Sequence, residues 1–311
     1  MTEKPILVGD FNLREIEELK VLARRRKALV LAHYYCPPAV QEVANFVGDS
    51  LGLSQTAAAS PVEVIIFAGV HFMAETASIL CPEKKVVLVN PEAGCPMADM
   101  ITYKGLAARK MELPGAAVLT YVNSPAAVKT LSDMCCTSAN VVPVLKSIPA
   151  KTVLMTPDQN LAAFAQKLVP EKKIISWDGF CPTHHRLSQR MVNGLKVKYP
   201  EALVAAHPEC RPEVLAAADF IGSTSAIIKY TKGETTREFI ILTEQGIGHC
   251  LRLDRPDAVF HFPEGMICPN MKKNTLADLR RALETLSPEV RVSAEIRRAA
   301  LAPIEKMLRI T

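Results

Sequence analysis

The sequence is short of the features that mark membrane, secreted and nucleic-acid-binding chains. No apolar run within its 311 residues reaches the ~18–20 needed to cross a bilayer. The opening MTEKPILVGD has neither a basic start nor a long apolar core, so no signal peptide is expected and the expected location is cytoplasmic. Aromatic residues make up only 5%, and no reading helix is evident, which argues against a nucleic-acid interface despite a net charge of +5. The one dense basic run, Arg24-Arg25-Arg26-Lys27, closes an expected helix over about Leu13–Lys27, where cations suit the helix dipole. A mildly basic chain instead favours small anionic substrates. Cys-x-x-Cys spacing is absent, which excludes the usual zinc-ribbon and thioredoxin readings although nine cysteines are present. In a cytoplasmic chain those cysteines are expected as thiols. Linker-like Gly/Ser stretches and low-complexity segments are absent too, so closely packed units are expected.

What the chain does contain is one stretch three times over. ALVLAHYYCPPAVQEVANFVGDS (Ala28 to Ser50) aligns without gaps with AAVLTYVNSPAAVKTLSDMCCTS (Ala116 to Ser138) and ALVAAHPECRPEVLAAADFIGST (Ala202 to Thr224), at shifts of 88 and 86 residues. The first and third copies agree at about half their positions, including His33/His207, Cys36/Cys210, Pro38/Pro212 and Gly48/Gly222. The middle copy keeps the valines, the prolines and a terminal hydroxyl. Repetition at a fixed period fixes the architecture ahead of any local reading. Each copy reads as a buried strand, a loop, a proline-opened helix and a short strand. Further strands follow at Val62–Ala68 and Val86–Val89, Thr152–Met155 and Lys173–Ser176, Phe239–Leu242 and Ala258–Phe262, with helices through Leu161–Leu168 and Ile247–Leu253. Amphipathic helices are expected over Ala98–Glu112, Leu187–Tyr199, Thr275–Leu286 and Pro288–Leu308. The expected fold class is α/β: three homologous three-layer αβα sandwich units about a pseudo-threefold axis. The units span 1–97, 98–183 and 184–270, and the C-terminal helices of 271–311 are expected to pack back on the first.

The expected third strand of every unit runs into Cys-Pro, at Cys95, Cys181 and Cys268. Ligands of open α/β sheets bind beyond the carboxyl ends of the strands, so three related units would gather equivalent strand ends. His33, Tyr121 and His207 would form one ring; Tyr35, Asn123 and Glu209 a second; Ser50, Ser138 and Thr224, with neighbouring Ser223, a third. Three converging thiolates suit a soft metal centre with one open position, although three Cys-Pro turns are also what a triplicated sequence would leave behind, and zinc is an alternative occupant. Histidines and a tyrosine followed by Tyr, Asn and Glu look like an acid–base set. The hydroxyl ring stands where strands lead into helix starts and resembles an anion site, although helix capping explains any one member. The remaining cysteines are expected to be inert: Cys36 and Cys210 lack a third member because Ser124 replaces it, Cys135 and Cys136 sit in a short strand, and Cys81 and Cys250 have no partner at the repeat spacing.

Motifs along essentially the whole chain resemble the quinolinate synthase family. They are His33-Tyr34-Tyr35, Gly48-Asp49-Ser50, Ala93-Gly94-Cys95-Pro96-Met97-Ala98, Tyr121-Val122-Asn123-Ser124, Thr137-Ser138-Ala139-Asn140 and Gly179-Phe180-Cys181-Pro182-Thr183-His184, then His207-Pro208-Glu209-Cys210, Gly222-Ser223-Thr224 and Cys268-Pro269-Asn270-Met271-Lys272. The resemblance implies condensation of iminoaspartate with dihydroxyacetone phosphate to quinolinate, phosphate and water in de novo NAD synthesis. It implies a [4Fe-4S] cluster on Cys95, Cys181 and Cys268 with one open iron acting as Lewis acid. His33, Ser50, Ser138, His207, Ser223 and Thr224 would hold phosphate and carboxylates; Tyr35, Tyr121, Asn123, His184 and Glu209 would orient intermediates and move protons. Small-molecule substrates are the implied partners, with a transient contact to the enzyme supplying iminoaspartate; no nucleic acid or membrane is implied. Tyr34 stands where many members have Asn, and its side chain is expected to point away. Cys268 stands alone where some members have Cys-x-x-Cys-x-x-Cys, which removes a disulfide switch there. The rival readings are a reductive dehydratase of isoprenoid diphosphates and a non-catalytic iron–sulfur sensor.

Overall fold

Runs dominated by aliphatic residues form the inner strands of three four-stranded parallel sheets. The computed structural model describes residues 13–310, so the opening decapeptide on which the expectation of no signal peptide rests lies outside the described residues. The first sheet comprises β1 (Ala28–His33), β2 (Phe46–Gly48), β3 (Val64–Ala68) and β4 (Lys85–Leu88), ordered β2-β1-β3-β4. The second comprises β5 (Ala117–Tyr121), β6 (Met134–Cys136), β7 (Thr152–Thr156) and β8 (Lys173–Ser176), ordered β6-β5-β7-β8. The third comprises β9 (Leu203–Ala206), β10 (Phe220–Ile221), β11 (Glu238–Leu242) and β12 (Val259–His261), ordered β10-β9-β11-β12. Every pairing is parallel, as helical crossovers demand. Val30, Leu31, Ala32, Leu119, Val204 and Ile240 are fully buried, the burial expected of sheets covered on both faces. The chain is therefore α/β, with three like units.

One local device recurs in all three. The residue before each short edge strand accepts a backbone N–H from the central strand: Val30 to Asn45 Oδ1 at 2.8 Å, Val118 to Asp133 Oδ2 at 2.7 Å, Val204 to Asp219 Oδ2 at 2.8 Å. Each bond pins β2, β6 or β10 in register and sets the depth at which the following hydroxyl loop emerges.

Several expected boundaries move for identifiable reasons. Ala98–Glu112 is two helices, Pro96–Asp99 and Tyr103–Glu112, because Thr102 caps the second by accepting the Gly105 N–H at 3.1 Å. The last helix begins at Ala294, capped by Ser293, not at Pro288; the segment before it runs beside β4, where Val290 N–H donates to Val86 O at 2.8 Å. The C-terminal segment divides its packing. Helix Leu276–Thr285 lies against helix Leu13–Arg25 and β3, whereas helix Ala294–Leu308 lies against β6, the turn Ala126–Lys129 and helix His71–Leu80. Asn140 fastens that last helix by donating its side-chain N–H groups to Met307 O at 3.1 Å and Ile310 O at 2.8 Å. Among the described residues no helix is long and apolar enough to cross a membrane.

Candidate active site

A cavity of about 170 Å³ is lined by residues at the carboxyl ends of all three sheets. His33, Tyr121 and His207 line it, as do Tyr35, Asn123 and Glu209, then Ser50, Ser138 and Thr224, and finally His184 with Cys95, Cys181 and Cys268. Ser223 is the expected site residue that does not line it; its hydroxyl caps helix Thr224–Gly233, accepting the Ala226 N–H at 3.3 Å. Tyr34 is also outside the lining and packs with the aliphatic cluster around Ile227 and Phe239.

The two histidines are held in one tautomer by the chain itself. Tyr35 N–H donates to His33 Nδ1 at 3.2 Å, and Glu209 N–H donates to His207 Nδ1 at 3.3 Å. An Nδ1 that accepts cannot carry the proton, so each ring presents Nε2–H to the cavity. His207 Nε2 lies 3.2 Å from Ser138 Oγ. Burial lowers the pKa of His33 to about 4 and that of His207 to about 3, against the partial opposition of nearby carboxylates. Both are neutral hydrogen-bond donors at physiological pH.

Glu209 sits at the centre of a buried network. Tyr121 Oη donates to Oε1 at 2.8 Å, and His184 Nδ1, 2.8 Å from Oε2, must be the donor because a carboxylate only accepts. Burial works against its ionisation. The imidazoles of His207 and His184, with the hydrogen bonds from His184 and Tyr121, nevertheless hold the Glu209 carboxyl below its usual range. With His207 neutral, the imidazole of His184 and the two hydrogen bonds carry that effect. The network continues from His184 Nε2 to Thr243 Oγ1 at 2.8 Å, to Tyr35 Oη at 2.7 Å and to Thr224 Oγ1 at 3.0 Å. Burial raises the Tyr35 and Tyr121 hydroxyls well above their ordinary pKa, so both remain donors. Asn123 Oδ1 is buried and, among the described residues, has no hydrogen-bond partner.

The hydroxyl loops differ in detail. Ser50 and Thr224 begin helices Ser50–Ala59 and Thr224–Gly233, capped by Asp49 and Ser223. Ser138 stands three residues before helix Val141–Ser147, because Asn140 Oδ1 closes the turn on Thr137 N–H at 2.9 Å. The expected helix start at Ser138 is thus displaced.

The cysteines also sit differently from the expectation. The strand leading to each is the fourth of its unit, since the short β2, β6 and β10 are full members of the sheets, and Cys95, Cys181 and Cys268 lie on loops several residues beyond β4, β8 and β12. Each immediately precedes a one-turn helix opened by proline, at Pro96–Asp99, Pro182–His185 and Pro269–Lys272. Backbone N–H groups of those turns hydrogen-bond to the sulfurs, from Ala98 and Met97 to Cys95, from His184 to Cys181, and from Met271 and Asn270 to Cys268. Burial nonetheless pushes Cys95 up to about 12 and raises the other two, and the thiols oppose one another's ionisation. Cys181 Sγ, His184 Nδ1 and a Glu209 oxygen lie within 4.8 Å of one another, a group able to hold a metal ion. The other six cysteines do not line the cavity. Cys36, Cys81 and Cys210 donate to the carbonyls of Ala68, Ala57 and Leu242, Cys250 to Gln41 Oε1, and Cys135 and Cys136 are buried in β6.

Sequence reasoning missed Thr243, Asp158, Glu244 and Lys272. Asp158 and Glu244 are completely buried, and Lys272 Nζ lies 2.8 Å from Glu244 Oε1 and donates to Tyr35 O at 2.6 Å. A signal for two of them was present: acids 86 residues apart, each two residues after the end of β7 or β11.

Comparison with known proteins identifies the family. The family model described as "Quinolinate synthetase A protein" matches residues 15–309. The chain is 47% identical over 299 residues to a quinolinate synthase of Caldicellulosiruptor saccharolyticus, covering 96% of this chain and 98% of that one. It is 48% identical to that of Geobacter metallireducens (94% and 97% covered) and 47% identical to that of Methanosarcina barkeri (95% and 97% covered). The chain is an enzyme of the quinolinate synthetase A family.

Proposed function

We propose that the chain forms quinolinate from iminoaspartate and dihydroxyacetone phosphate, releasing phosphate and water, as a step of NAD synthesis. The observation that carries this reading is the convergence on one cavity of three cysteines, two neutral histidines, a hydrogen-bonded glutamate and a hydroxyl from every unit.

The donor set fits a [4Fe-4S] cluster on Cys95, Cys181 and Cys268. Thiols that resist ionisation when buried together become good ligands once a cation offsets their charge, and the backbone N–H groups already aimed at the sulfurs suit thiolates. When bound, a cluster with three protein ligands would supply one open iron as a Lewis acid for a hydroxyl or carboxylate oxygen. The rest is the work of side chains. His33 and His207 offer Nε2–H, and Ser50, Ser138 and Thr224 offer hydroxyls, to the carboxylates and phosphate of the substrates. Asn123 Oδ1, buried without a partner, accepts an N–H or O–H of the bound intermediate. Glu209 takes a proton from carbon or nitrogen during isomerisation or ring closure, and Tyr121, hydrogen-bonded to it, returns one. Tyr35 and Thr243 hold His184, which orients the far side of the carboxylate.

The test is anaerobic incubation of purified protein with both substrates, with quinolinate measured by chromatography and iron and sulfide by chemical assay. About four iron and four sulfide per chain, with quinolinate dependent on both substrates, is the expected result. Stoichiometric zinc without sulfide, or a fully loaded protein that makes no quinolinate, would sink the reading.

A further inference from the structure

The three cysteine loops are built alike but are not held alike. In each unit a backbone N–H after the third strand donates to the carbonyl two residues ahead of the cysteine: His71 to Ala93 at 2.9 Å, Gln159 to Gly179 at 2.8 Å, Gln245 to Met266 at 2.8 Å. The residue just before each donor, at one repeat position, is Val70, Asp158 or Glu244. The two acids are completely buried and turn an oxygen to the cysteine backbone. Cys181 N–H donates to Asp158 Oδ2 at 3.1 Å, and Cys268 N–H donates to Glu244 Oε1 at 3.1 Å. Their second oxygens are engaged as well, Asp158 Oδ1 by Leu161 N–H at 2.7 Å and Glu244 Oε2 by Gly246 N–H at 2.6 Å. Val70 offers no side-chain acceptor, and among the described residues no carboxylate takes the Cys95 N–H.

Burying a carboxylate is costly unless its lone pairs are satisfied. Val70 shows that the same strand–loop–helix passage forms without that cost. The acids are therefore not required for this passage to form; besides capping helix Gln159–Leu168 and the turn Gln245–Ile247, they fix the amide of the residue that presents the sulfur. We propose that Asp158 and Glu244 are positioning residues that lock the Cys181 and Cys268 backbones in ligating register, leaving the Cys95 loop as the member of the trio that yields first. This inference rests on the reading of the three cysteines as ligands of one metal centre. It assigns them unequal mechanical roles: two anchored ligands and one compliant one.

Asp158→Asn and Glu244→Gln are isosteric, but each amide sets an N–H₂ group against a backbone N–H that the carboxylate accepted. The experiment uses anaerobically purified, iron-loaded full-length protein, wild type and the two variants, with Val70→Ala as a control for packing loss. Backbone amide exchange is followed by mass spectrometry for peptides covering 93–99, 179–185 and 266–272, together with thermal unfolding and the rate of iron loss to a strong chelator. In the wild type the Cys95 peptide should exchange about tenfold faster than the other two. Asp158→Asn should speed exchange around Cys181 alone, Glu244→Gln around Cys268 alone, and both should release iron several-fold faster than wild type and Val70→Ala. Equal exchange of the three wild-type loops would overturn the inference, and so would variants that speed both acid-held loops together in step with a lowered Tm. If a variant does not fold, the wild-type exchange pattern still decides. A wild type that takes up no iron overturns the metal reading instead, and the exchange comparison then tests the clamps separately.

Discussion

The first and third units and the middle unit share a strand, a loop and an edge-strand clamp, yet they deliver different chemistry to the same cavity. Where the outer units place His33 and His207, each fixed as a neutral donor by the amide two residues on, the middle unit places Tyr121, whose hydroxyl reaches across to Glu209 at 2.8 Å. The backbone frame sets only where a side chain emerges; the side chain and the burial around it set whether it donates, accepts or moves a proton. A repeat can therefore be read for position with more certainty than for role. Glu209 illustrates the point: its equivalents Tyr35 and Asn123 are neutral, and its charge is kept by Tyr121 and His184, which come from elsewhere.

The sharpest way to break the equivalence of the units lies in the cysteines. Cys95→Ser, Cys181→Ser and Cys268→Ser should each lose the visible cluster absorbance and abolish quinolinate formation, since serine is a poor soft-metal ligand. Cys36→Ser and Cys210→Ser, which match each other but have no third member, should keep both. Loss of the cluster in either would undo the assignment. Next in size is Glu209→Gln, which should cut turnover by ~10²–10⁴ while leaving iron content unchanged; near-normal turnover would show that Glu209 only positions substrate. Tyr121→Phe removes the feature that distinguishes the middle unit and should stall the reaction at an intermediate with the cluster intact. Iron loss in that variant would mark the tyrosine as structural.

Two smaller effects sharpen the comparison from the outer units. His33, with its pKa lowered from 6.5 to about 4, must be uncharged in the folded protein while the unfolded chain takes up a proton. Stability is then full above pH 6.5 and falls as the pH drops from there towards 4, by roughly 3 kcal/mol for this residue. Denaturant titrations of His33→Gln should show a correspondingly flatter acid limb, and an unchanged limb would mean that His33 titrates alike in the folded and unfolded chain. Ser223→Ala tests the smallest effect, loss of about 1 kcal/mol from an N-cap. Turnover within about twofold of wild type would confine the hydroxyl to capping, whereas a larger drop would show that it reaches substrate.

Much of this was legible in the sequence for a physical reason. Period and aliphatic runs determine strands, and strand ends determine which side chains can meet; hence His33, Tyr121 and His207 were readable as a ring before any coordinate. The rest depended on interactions that do not repeat. Thr243 has Pro157 at its equivalent position, so no periodic signal marks it, although it links His184 to Tyr35. Asp158 and Glu244 repeat only twice, and Val70 conceals the pattern. The displaced start of the Val141–Ser147 helix follows from one side-chain bond of Asn140, which competes with ordinary capping by Ser138 and leaves no trace in hydropathy. Placement of the cysteines beyond the fourth strands was obscured because β2, β6 and β10 are two or three residues long.

Asn140 ties the last helix to the lining of the cavity. Its oxygen shapes the loop bearing Ser138, while its nitrogen is spent on Met307 O and Ile310 O. The closing turn of the last helix therefore works as a splint for a loop that touches His207. Trimming the chain back past Met307 would free the amide to rotate and loosen the loop that carries Ser138. For anyone engineering this enzyme, an outwardly dispensable tail is a poor place to cut.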